Sequence, residues 1–434
     1  MYVGFTKVDI TPEPGLPMAG YVNRKGKSIG AHDPLYARIL YMDDSNRELL
    51  LISLDLIRID NALYNDIIQV IEKNYGLSRN NIIIAATHTH SGPEVSLGLW
   101  STKELSNDEK NQVEKYLREL TWKINNGVSI ALEKSNKITS IQALNCRVNS
   151  NVATNRVDSR GLVDKESTLL YIKYGSERVL IVNYACHPTV LGPDNLLYSG
   201  DLAGFTIKHI EENLGINALY FNGAAGNVST RFSRSKQDFD EAKYLSNLLA
   251  RPIIEKIVYV KEEMKANNSL CIHTKTITET LRLREPVDTE KLTKIEQQLL
   301  DRLEKAKKNN APPGVLRALE SDVYAIRIAK RRNMLLKNTR TIKVKIHVAR
   351  IGDNLLILSF PGELFIEYQL ELKNLAKPRK VMLIGYSNGY IGYVPYPSYT
   401  GKLCYEEIVS LIDNNEYDKI RALLQKAVLG DDLD

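Results

Sequence analysis

The chain has 434 residues, of which 43% are hydrophobic and 25% are charged. This composition is typical of a globular protein and excludes disordered and fibrous classes, and the length suits one large or two medium domains. The net charge of +6, from 58 Lys and Arg against 52 Asp and Glu, is too small for this length to indicate a nucleic-acid-binding protein.

The sequence also bears on the cellular compartment. No apolar stretch approaches the ~20 residues that a transmembrane helix needs. The N-terminus lacks the basic and apolar regions of a signal peptide. The four cysteines are widely spaced, which suits a reducing compartment rather than a disulfide framework. We therefore expect a cytoplasmic protein without a transmembrane segment.

Three stretches of the chain predict a strand, a helix and a second strand joined by short links, the pattern of a βαβ unit. The first covers 48–57, 61–75 and 81–87; the second covers 178–185, 204–213 and 217–221; the third covers 355–360, 363–375 and 381–385. The strands are almost continuously apolar, which favours a sheet covered on both faces. We predict a single α/β domain over residues 1–434, with a mixed sheet flanked by helices.

A charged helical segment interrupts this pattern at about 286–337. Apolar residues recur at helical spacing in two arms, and Asn-Asn-Ala-Pro-Pro-Gly separates them, which predicts a helical hairpin. The favoured interpretation is a solvated insertion in the α/β domain. The alternative is an arm that binds a partner or forms a homo-oligomer.

The clearest chemical signal is Thr-His-Thr-His-Ser-Gly-Pro at 87–93, which contains two of only seven histidines. Side chains two residues apart share one face of a strand, about 6.6 Å apart along it. His88 and His90 could therefore reach one zinc ion, and the Ser-Gly-Pro turn places them at the carboxyl end of a strand, where open α/β sheets hold their sites. The alternative is two polar residues that end a strand by chance.

Further polar residues follow other predicted strands. His187 follows the strand at 178–185, and Glu363 follows the strand at 355–360. The glycine-rich segment 222–228 leads to Ser229, and backbone N–H groups in such turns can hold an anion. A tyrosine- and glycine-rich loop occupies 387–395. A satisfied polar group, a salt-bridge partner and a tight turn without a ligand are the alternatives for these features.

Together these motifs resemble the neutral/alkaline non-lysosomal ceramidase family, in its N-terminal catalytic domain. The matching segments occur in the family's order across nearly the whole chain: VGFTKVDITP at 3–12, His32 ahead of Tyr36-Ala37-Arg38, ATHTHSGP at 86–93, Asn155-Arg156, ACHPT at 185–189, SGD at 199–201, GAAGNVS at 223–229, FPGE at 360–363, and SNGYIGY at 387–393 through Tyr405-Glu406. Two positions depart from the family's pattern, since Asn227 stands for aspartate and Glu94 stands for glycine.

The resemblance implies a set of site residues. It implies one zinc ion (Zn2+) with His88, His187, Glu363 and Tyr393 as ligands. Ser229 corresponds to the active-site serine, and His90 lies beside the scissile carbonyl. Arg156, Tyr405 and His32 fall at positions that bind the substrate.

The leading hypothesis is a zinc-dependent hydrolase that cleaves a linear amide in a small-molecule or lipid-like N-acyl compound. Zinc activates water at neutral pH, and His90 passes a proton to the leaving amine. Ser229 either stabilises the oxyanion with the turn N–H groups or attacks the carbonyl. One alternative is a zinc-dependent ester or glycoside-type hydrolase acting on a soluble polar substrate. Another is a non-catalytic binding protein.

Overall fold

The computed structural model of the protein describes residues 1–148, 151–158, 160–260, 270–311, 313–336, 338–402 and 404–430. The strands, in chain order, are β1 (Tyr2–Asp9), β2 (Gly30–Ala31), β3 (Tyr36–Asp43), β4 (Glu48–Leu54), β5 (Ile82–Ala86), β6 (Asn136–Arg147), β7 (Thr154–Asn155), β8 (Glu166–Tyr174), β9 (Glu177–Tyr184), β10 (Leu197–Tyr198), β11 (Asn217–Asn222), β12 (Val228–Ser229), β13 (Ile272–Arg282), β14 (Thr341–Ile351), β15 (Leu355–Ser359), β16 (Glu363–Leu364), β17 (Lys380–Ile384) and β18 (Tyr393–Val394). The helices are α1 (Asn61–Tyr75), α2 (Asn107–Glu133), α3 (Asp201–Leu214), α4 (Phe239–Val258), α5 (Thr289–Lys308), α6 (Pro313–Leu336), α7 (Ile366–Leu375), α8 (Tyr405–Val409) and α9 (Tyr417–Leu429).

The larger sheet has eight strands in the order β11-β9-β8-β6-β1-β3-β4-β5. Its two outer pairs, β4 with β5 and β9 with β11, are parallel, and the pairs between them are antiparallel. Each parallel pair is joined by a helix, α1 in the first case and α3 in the second. The mixed sheet and the first two predicted βαβ units are therefore confirmed.

A second sheet of four strands, in the order β13-β14-β15-β17, packs on the first. Its parallel pair, β15 and β17, with α7 between them, is the third predicted βαβ unit. One apolar core joins the two sheets, with Leu51 and Ile83 from the larger sheet and Ile357 and Met382 from the smaller one. The predicted single α/β domain with a mixed sheet flanked by helices is confirmed, and the structure adds a second sheet.

The helices cover the other faces of the sheets. Helices α1 and α2 pack on β3, β4 and β5, while α3 and α4 pack on the opposite end of the larger sheet around β9 and β11. Helices α7 and α9 contribute to a core on the smaller sheet. All five residues of β5 are buried, as expected for a strand covered on both faces.

Local sequence signals set the ends of the first helix. The Asp60 side chain accepts a hydrogen bond from the Leu63 N–H and so caps the start of α1. Gly76 ends the helix in the left-handed conformation, with φ of 70°, which costs glycine little. The Asp60 cap ends the short connection between β4 and α1, and Gly76 begins the connection from α1 toward β5.

The edges of the larger sheet approach each other and bring the strand ends together. The Ser53 hydroxyl of β4 donates a hydrogen bond to the Tyr220 carbonyl of β11 at 2.5 Å. The Asn222 amide at the end of β11 donates to the Thr87 carbonyl just beyond β5 at 3.2 Å. Segments that follow β5, β9 and β11 consequently meet in one region, although they are far apart in the sequence.

Two helices, α5 and α6, occupy the segment that was predicted as a charged hairpin. They share a small core made by Leu292, Ile326 and Ala329. A different face of α6 packs on α8, where Ala325 and Ile328 contact Val409. Residues 312 and 337 of the predicted hairpin lie outside the described residues. Among the described residues, no helix combines the length and the apolar character needed to cross a bilayer.

Candidate metal centre

His88 lies just past the carboxyl end of β5 in an unusual backbone conformation. The strand ends at Ala86, and His88 has φ of 70°, a left-handed value that costs a side-chain-bearing residue energy. Its N–H donates to the Leu56 carbonyl at 2.9 Å, and its Nδ1 donates to the Ile57 carbonyl at 2.5 Å. Because Nδ1 carries the proton, Nε2 has a free lone pair.

His187 lies beyond the end of β9 and is oriented in the same way. Its Nδ1 donates to the Ala225 carbonyl at 2.6 Å, so its Nε2 also has a free lone pair. The two Nε2 atoms are 3.1 Å apart. Neither can donate a hydrogen bond to the other in these tautomers, and two lone pairs at this distance repel unless a cation lies between them.

His90 completes a group of three histidines. Its Nε2 is 3.3 Å from that of His88, and the ligand atoms of all three histidines lie within 4.8 Å of one another. The two rings of the His-Thr-His motif therefore converge as predicted, but through the left-handed turn at His88 rather than along one face of a strand. Gly20, with φ of 97°, lies against His90, and a Cβ atom there would be 2.6 Å from the His90 ring.

Glu363 and Tyr393 enter the same region through a two-stranded parallel sheet. In this sheet β16 pairs with β18, and Glu363 is directly opposite Tyr393. The prediction that Glu363 begins a helix is wrong, because residues 363–364 pair with β18 and α7 begins at Ile366. Glu363 Oε2 lies 3.1 Å from His187 Nε2 and 3.5 Å from His88 Nε2.

The two carboxylate oxygens of Glu363 have different surroundings. Tyr390 donates a hydrogen bond to Glu363 Oε1. Glu363 Oε2 is buried and has no hydrogen-bond partner among the described residues. The Tyr393 hydroxyl lies 3.4 Å from His187 Nε2. A buried carboxylate oxygen without a partner is costly, so its position beside two imidazoles calls for a cation.

These donors fit a zinc ion. Ligand atoms on a tetrahedral zinc with bonds of ~2.0–2.2 Å are about 3.3 Å apart. The two imidazoles and Glu363 have mutual separations of 3.1–3.5 Å, and the Tyr393 hydroxyl lies 3.4 Å from His187. Burial lowers the pKa of His88 to about 3 and the pKa of His187 well below its usual value. Both imidazoles are consequently neutral near pH 7, the form that binds metal.

Arg156 holds Tyr393 in place. Its Nη2 donates to the Tyr393 hydroxyl at 3.1 Å and to the Gly226 carbonyl at 2.7 Å, and its Nε pairs with Glu406 at 2.8 Å. Burial, and then the charge of Glu363, raises the pKa of Tyr393 well above its usual value. Tyr393 is therefore a neutral phenol unless a cation beside it stabilises the phenolate. The predicted substrate residue Tyr405 packs near it, with ring centroids 5.9 Å apart.

Ser229 lies beside His187 through the backbone. Residues 187 and 229 form an isolated parallel bridge, and the Ser229 hydroxyl accepts a hydrogen bond from the Arg231 N–H at 3.2 Å. The N–H groups of Ala224, Ala225 and Gly226 all donate to protein oxygens. These three N–H groups are therefore not free to hold an oxyanion, and an oxyanion role for the rest of the turn stays a prediction. The role of Ser229 itself stays a prediction.

His32 lies apart from the other predicted site residues. Its side chain is exposed and stacks on Phe239, with ring centroids 3.8 Å apart, and its Nδ1 pairs with Asp33 at 2.8 Å. It does not line the cavity beside the three histidines. Its predicted contact with substrate therefore stays a prediction without support from this arrangement.

His88, His90 and Glu363 open on a cavity of about 80 Å³. Its lining includes residues that the sequence did not indicate, among them Arg58, Trp100, Tyr324 and Ile328. The last two belong to α6, so the charged hairpin is more than a solvated insertion. The sequence did contain one signal for Arg58. It interrupts an apolar run immediately after a predicted buried strand, where an unpaired charge would be costly.

Comparison with known proteins assigns the chain to a family. The N-terminal model of the neutral/alkaline non-lysosomal ceramidases matches residues 1–239, more than half of the chain. The chain therefore belongs to the neutral/alkaline non-lysosomal ceramidase family. A neutral ceramidase of Pseudomonas aeruginosa is 35% identical over 95 residues, which are 21% of this chain and 14% of that protein. The chain thus aligns with well under two thirds of the length of this curated relative.

Solved structures agree with this assignment at the level of the fold. A crystal structure of neutral ceramidase from Pseudomonas aeruginosa is similar with a TM-score of 0.73 and 18% identity, over 98% of this chain and 74% of that one. A structure described as ceramidase complexed with C2 gives a TM-score of 0.71 and 18% identity, over 98% of this chain and 75% of that one.

Proposed function

We propose that the protein is a zinc-dependent hydrolase that cleaves a linear amide bond in an N-acyl compound. The observation that carries this proposal is the convergence of His88, His187, Glu363 and Tyr393. Each of their ligand atoms lies 3.1–3.5 Å from that of at least one other member, although the residues span about 300 positions. Membership of the ceramidase family supports an amide as the bond cleaved.

The residues that would hold the metal are fixed before it binds. The carbonyls of Ile57 and Ala225 hold the two imidazoles with Nε2 facing inward, and Arg156 holds the Tyr393 hydroxyl. A zinc ion held by these residues would supply Lewis-acid polarisation of a carbonyl oxygen and would lower the pKa of water to ≈ 7. Because the hydrogen bonds already hold these side chains in place, the protein avoids the cost of ordering them at the moment of reaction.

His90 is the group best placed to move a proton. It lines the cavity, and its Nδ1 has no hydrogen-bond partner among the described residues. Burial lowers the pKa of His90 well below its usual value, and the neighbouring imidazoles of His88 and His187 add to this effect because protonated rings would repel one another. A neutral His90 accepts the proton released by water and can return it to the leaving amine.

The proposal is tested by metal analysis and amide turnover of the same preparations. Wild type should carry about one zinc per chain and hydrolyse short N-acyl amides. The double variant His88→Ala, His187→Ala should bind little zinc and lose activity. His209→Ala serves as the control, since His209 lies on α3 and contacts the Lys243 carbonyl instead of the cavity.

Each outcome separates one alternative. Normal zinc content in the double variant would contradict the ligand assignment. Zinc-dependent turnover of esters or glycosides, with no turnover of amides, would replace the amide by another bond. Zinc binding without turnover of any of these substrates would favour the non-catalytic interpretation.

A further inference from the structure

Arg58 is a buried cation that donates no hydrogen bond to a carboxylate among the described residues, although the charges of Glu94 and Glu363 favour its charged form. It lies four residues beyond β4, is 7% exposed and lines the cavity beside the histidines. One of its Nη atoms donates to the Trp100 carbonyl, and the other is 3.5 Å from the Thr102 hydroxyl. Its Nε has no hydrogen-bond partner among the described residues. Both of its protein partners are neutral.

Glu94 lies in the same region but is already engaged. Its Oε1 accepts from the N–H groups of Val95 and Ser96, and its Oε2 accepts from the Thr102 N–H at 2.7 Å. The carboxylate thus organises the loop that carries Trp100 rather than pairing with Arg58. Tyr390 contacts the guanidinium through its ring, with the Arg58 carbon 5.5 Å from the ring centroid.

A buried arginine with unused donors is suited to an external anion. Buried charges are normally paired, because an unpaired charge in the interior is costly. A guanidinium has five N–H donors in a planar fork that matches a carboxylate, and Arg58 uses two of them on protein atoms. Arg58 itself lines a cavity that also contains the proposed metal ligands His88 and Glu363.

The size of the cavity limits what can bring this anion. A volume of about 80 Å³ is small beside the ~300–1,000 Å³ of pockets for drug-sized ligands. Tyr324 and Ile328 of α6 form part of its boundary. The helix is held there by Arg331, which donates to the Ser101 carbonyl at 3.0 Å, and by Arg332, which donates to the Ser410 carbonyl at 2.7 Å.

We propose that Arg58 binds a carboxylate of the substrate, so that the preferred substrates are short N-acylated amino acids. This inference rests on the proposed amide hydrolase function and specifies its substrate class. The amide carbonyl lies at the metal site, and the carboxylate of the amine half lies at Arg58. Arg58 then determines specificity without taking part in bond cleavage.

The test compares two substrates of equal length. N-butanoylglycine ends in a carboxylate, and N-butanoylethanolamine ends in a neutral hydroxyl. A hydrogen bond to a charged group contributes about 1.5–3 kcal/mol, so wild type should favour the glycine compound in kcat/KM by about tenfold to a hundredfold. Arg58→Gln should remove this preference and keep its zinc. Arg58→Lys, which keeps the charge without the fork, should retain part of it. Arg251→Gln, on the exposed face of α4, should retain all of it.

Two results would overturn the inference. One is equal turnover of both compounds by wild type, and the other is a proportional loss on both compounds in Arg58→Gln. If wild type cleaves neither compound, the hydrolase proposal fails, and calorimetric binding of the same two compounds to the zinc-loaded protein still tests Arg58. Binding of the glycine compound that is no tighter than binding of the ethanolamine compound would then exclude the carboxylate site.

Discussion

The cavity has two unlike sets of lining residues. The first, which we call the metal wall, consists of the lining residues His88, Glu363 and Tyr393 together with His187, which contacts all three. His88, His187 and Glu363 follow β5, β9 and β15, and Tyr393 pairs with Glu363. The second wall consists of Arg58, Trp100, Tyr324 and Ile328, which come from two loops and from α6.

The two walls differ in the interactions that hold their side chains in place. Backbone carbonyls fix both metal-wall histidines, and sheet pairing fixes Glu363 against Tyr393. The second wall depends on side chains that contact distant carbonyls, such as Arg331 on Ser101. We infer that the metal wall supplies the chemistry of the site, and that the second wall sets which substrate reaches it.

The largest effect is expected from Glu363→Gln. The substitution keeps the shape of the side chain but removes the negative charge from the oxygen that faces both imidazoles. Since metal catalysis contributes several kcal/mol, turnover should fall by about 10³-fold, and zinc content should fall with it. The control is Glu255→Gln, on the exposed face of α4. Retention of both zinc and turnover would remove Glu363 from the metal wall.

A smaller loss of zinc affinity and turnover is expected from Arg156→Lys, which tests whether Arg156 positions the metal ligand Tyr393. Lysine cannot donate at the same time to Tyr393, Gly226 and Glu406 as the guanidinium does. Loss of such outer support typically costs about 10–100-fold in metal affinity or activity. Zinc titration and turnover at saturating zinc measure the two effects separately. Unchanged zinc affinity and turnover would mean that Tyr393 needs no positioning.

The second wall is tested by Trp100→Ala. Trp100 lines the metal cavity and also a neighbouring cavity of about 700 Å³ beside α1 and α2. Removing the indole should connect the two and admit longer acyl chains. Each buried CH2 contributes about 0.8 kcal/mol, so the preference for octanoyl over butanoyl amides should rise about tenfold or more.

Trp122 provides a matched control for this experiment. It is the other tryptophan of the chain and is 63% exposed on α2. Trp122→Ala should leave the chain-length preference unchanged. If Trp100→Ala remains folded by circular dichroism and also leaves the preference unchanged, the second wall does not set the substrate.

The two walls also differ in how far the sequence predicts them. The strands of the three βαβ units are long apolar runs, and a polar residue after such a run must lie at the edge of the sheet. This argument identifies His88, His187 and Glu363. It does not give the left-handed turn at His88, because that conformation depends on hydrogen bonds to Leu56 and Ile57 in the loop that follows β4.

The second wall and the second sheet escape prediction for a related reason. Periodicity shows that α6 has an apolar face, but not that Ile328 packs against Val409, some 80 residues away. The edge strand β13 has only two buried residues out of 11, so its pattern lacks the apolar run that marks β4 or β9. Contacts between distant segments decide these features, and local patterns do not encode them.

A histidine outside both walls shows what burial does without a metal. His347 on β14 is 2% exposed, its Nε2 has no hydrogen-bond partner among the described residues, and its Nδ1 is 3.4 Å from the Asn80 carbonyl. Burial lowers the pKa of His347 to about 4. It is not among the residues that line the metal cavity, so its substitution should leave turnover near neutral pH unchanged.

The expected effect of His347 is on stability in acid. Above pH ~6.5 the imidazole is neutral in both the folded and the unfolded chain. As the pH falls from about 6.5 to about 4, the unfolded chain takes up a proton that the folded chain refuses, so stability is lost, by about 3 kcal/mol in all. His347→Leu should remove this part of the loss. Urea unfolding at about pH 7 and about pH 4.5 measures it, and because both proteins carry the same metal wall, any effect of zinc release cancels. An equal acid loss in the two proteins would show that His347 accepts its proton in the folded state.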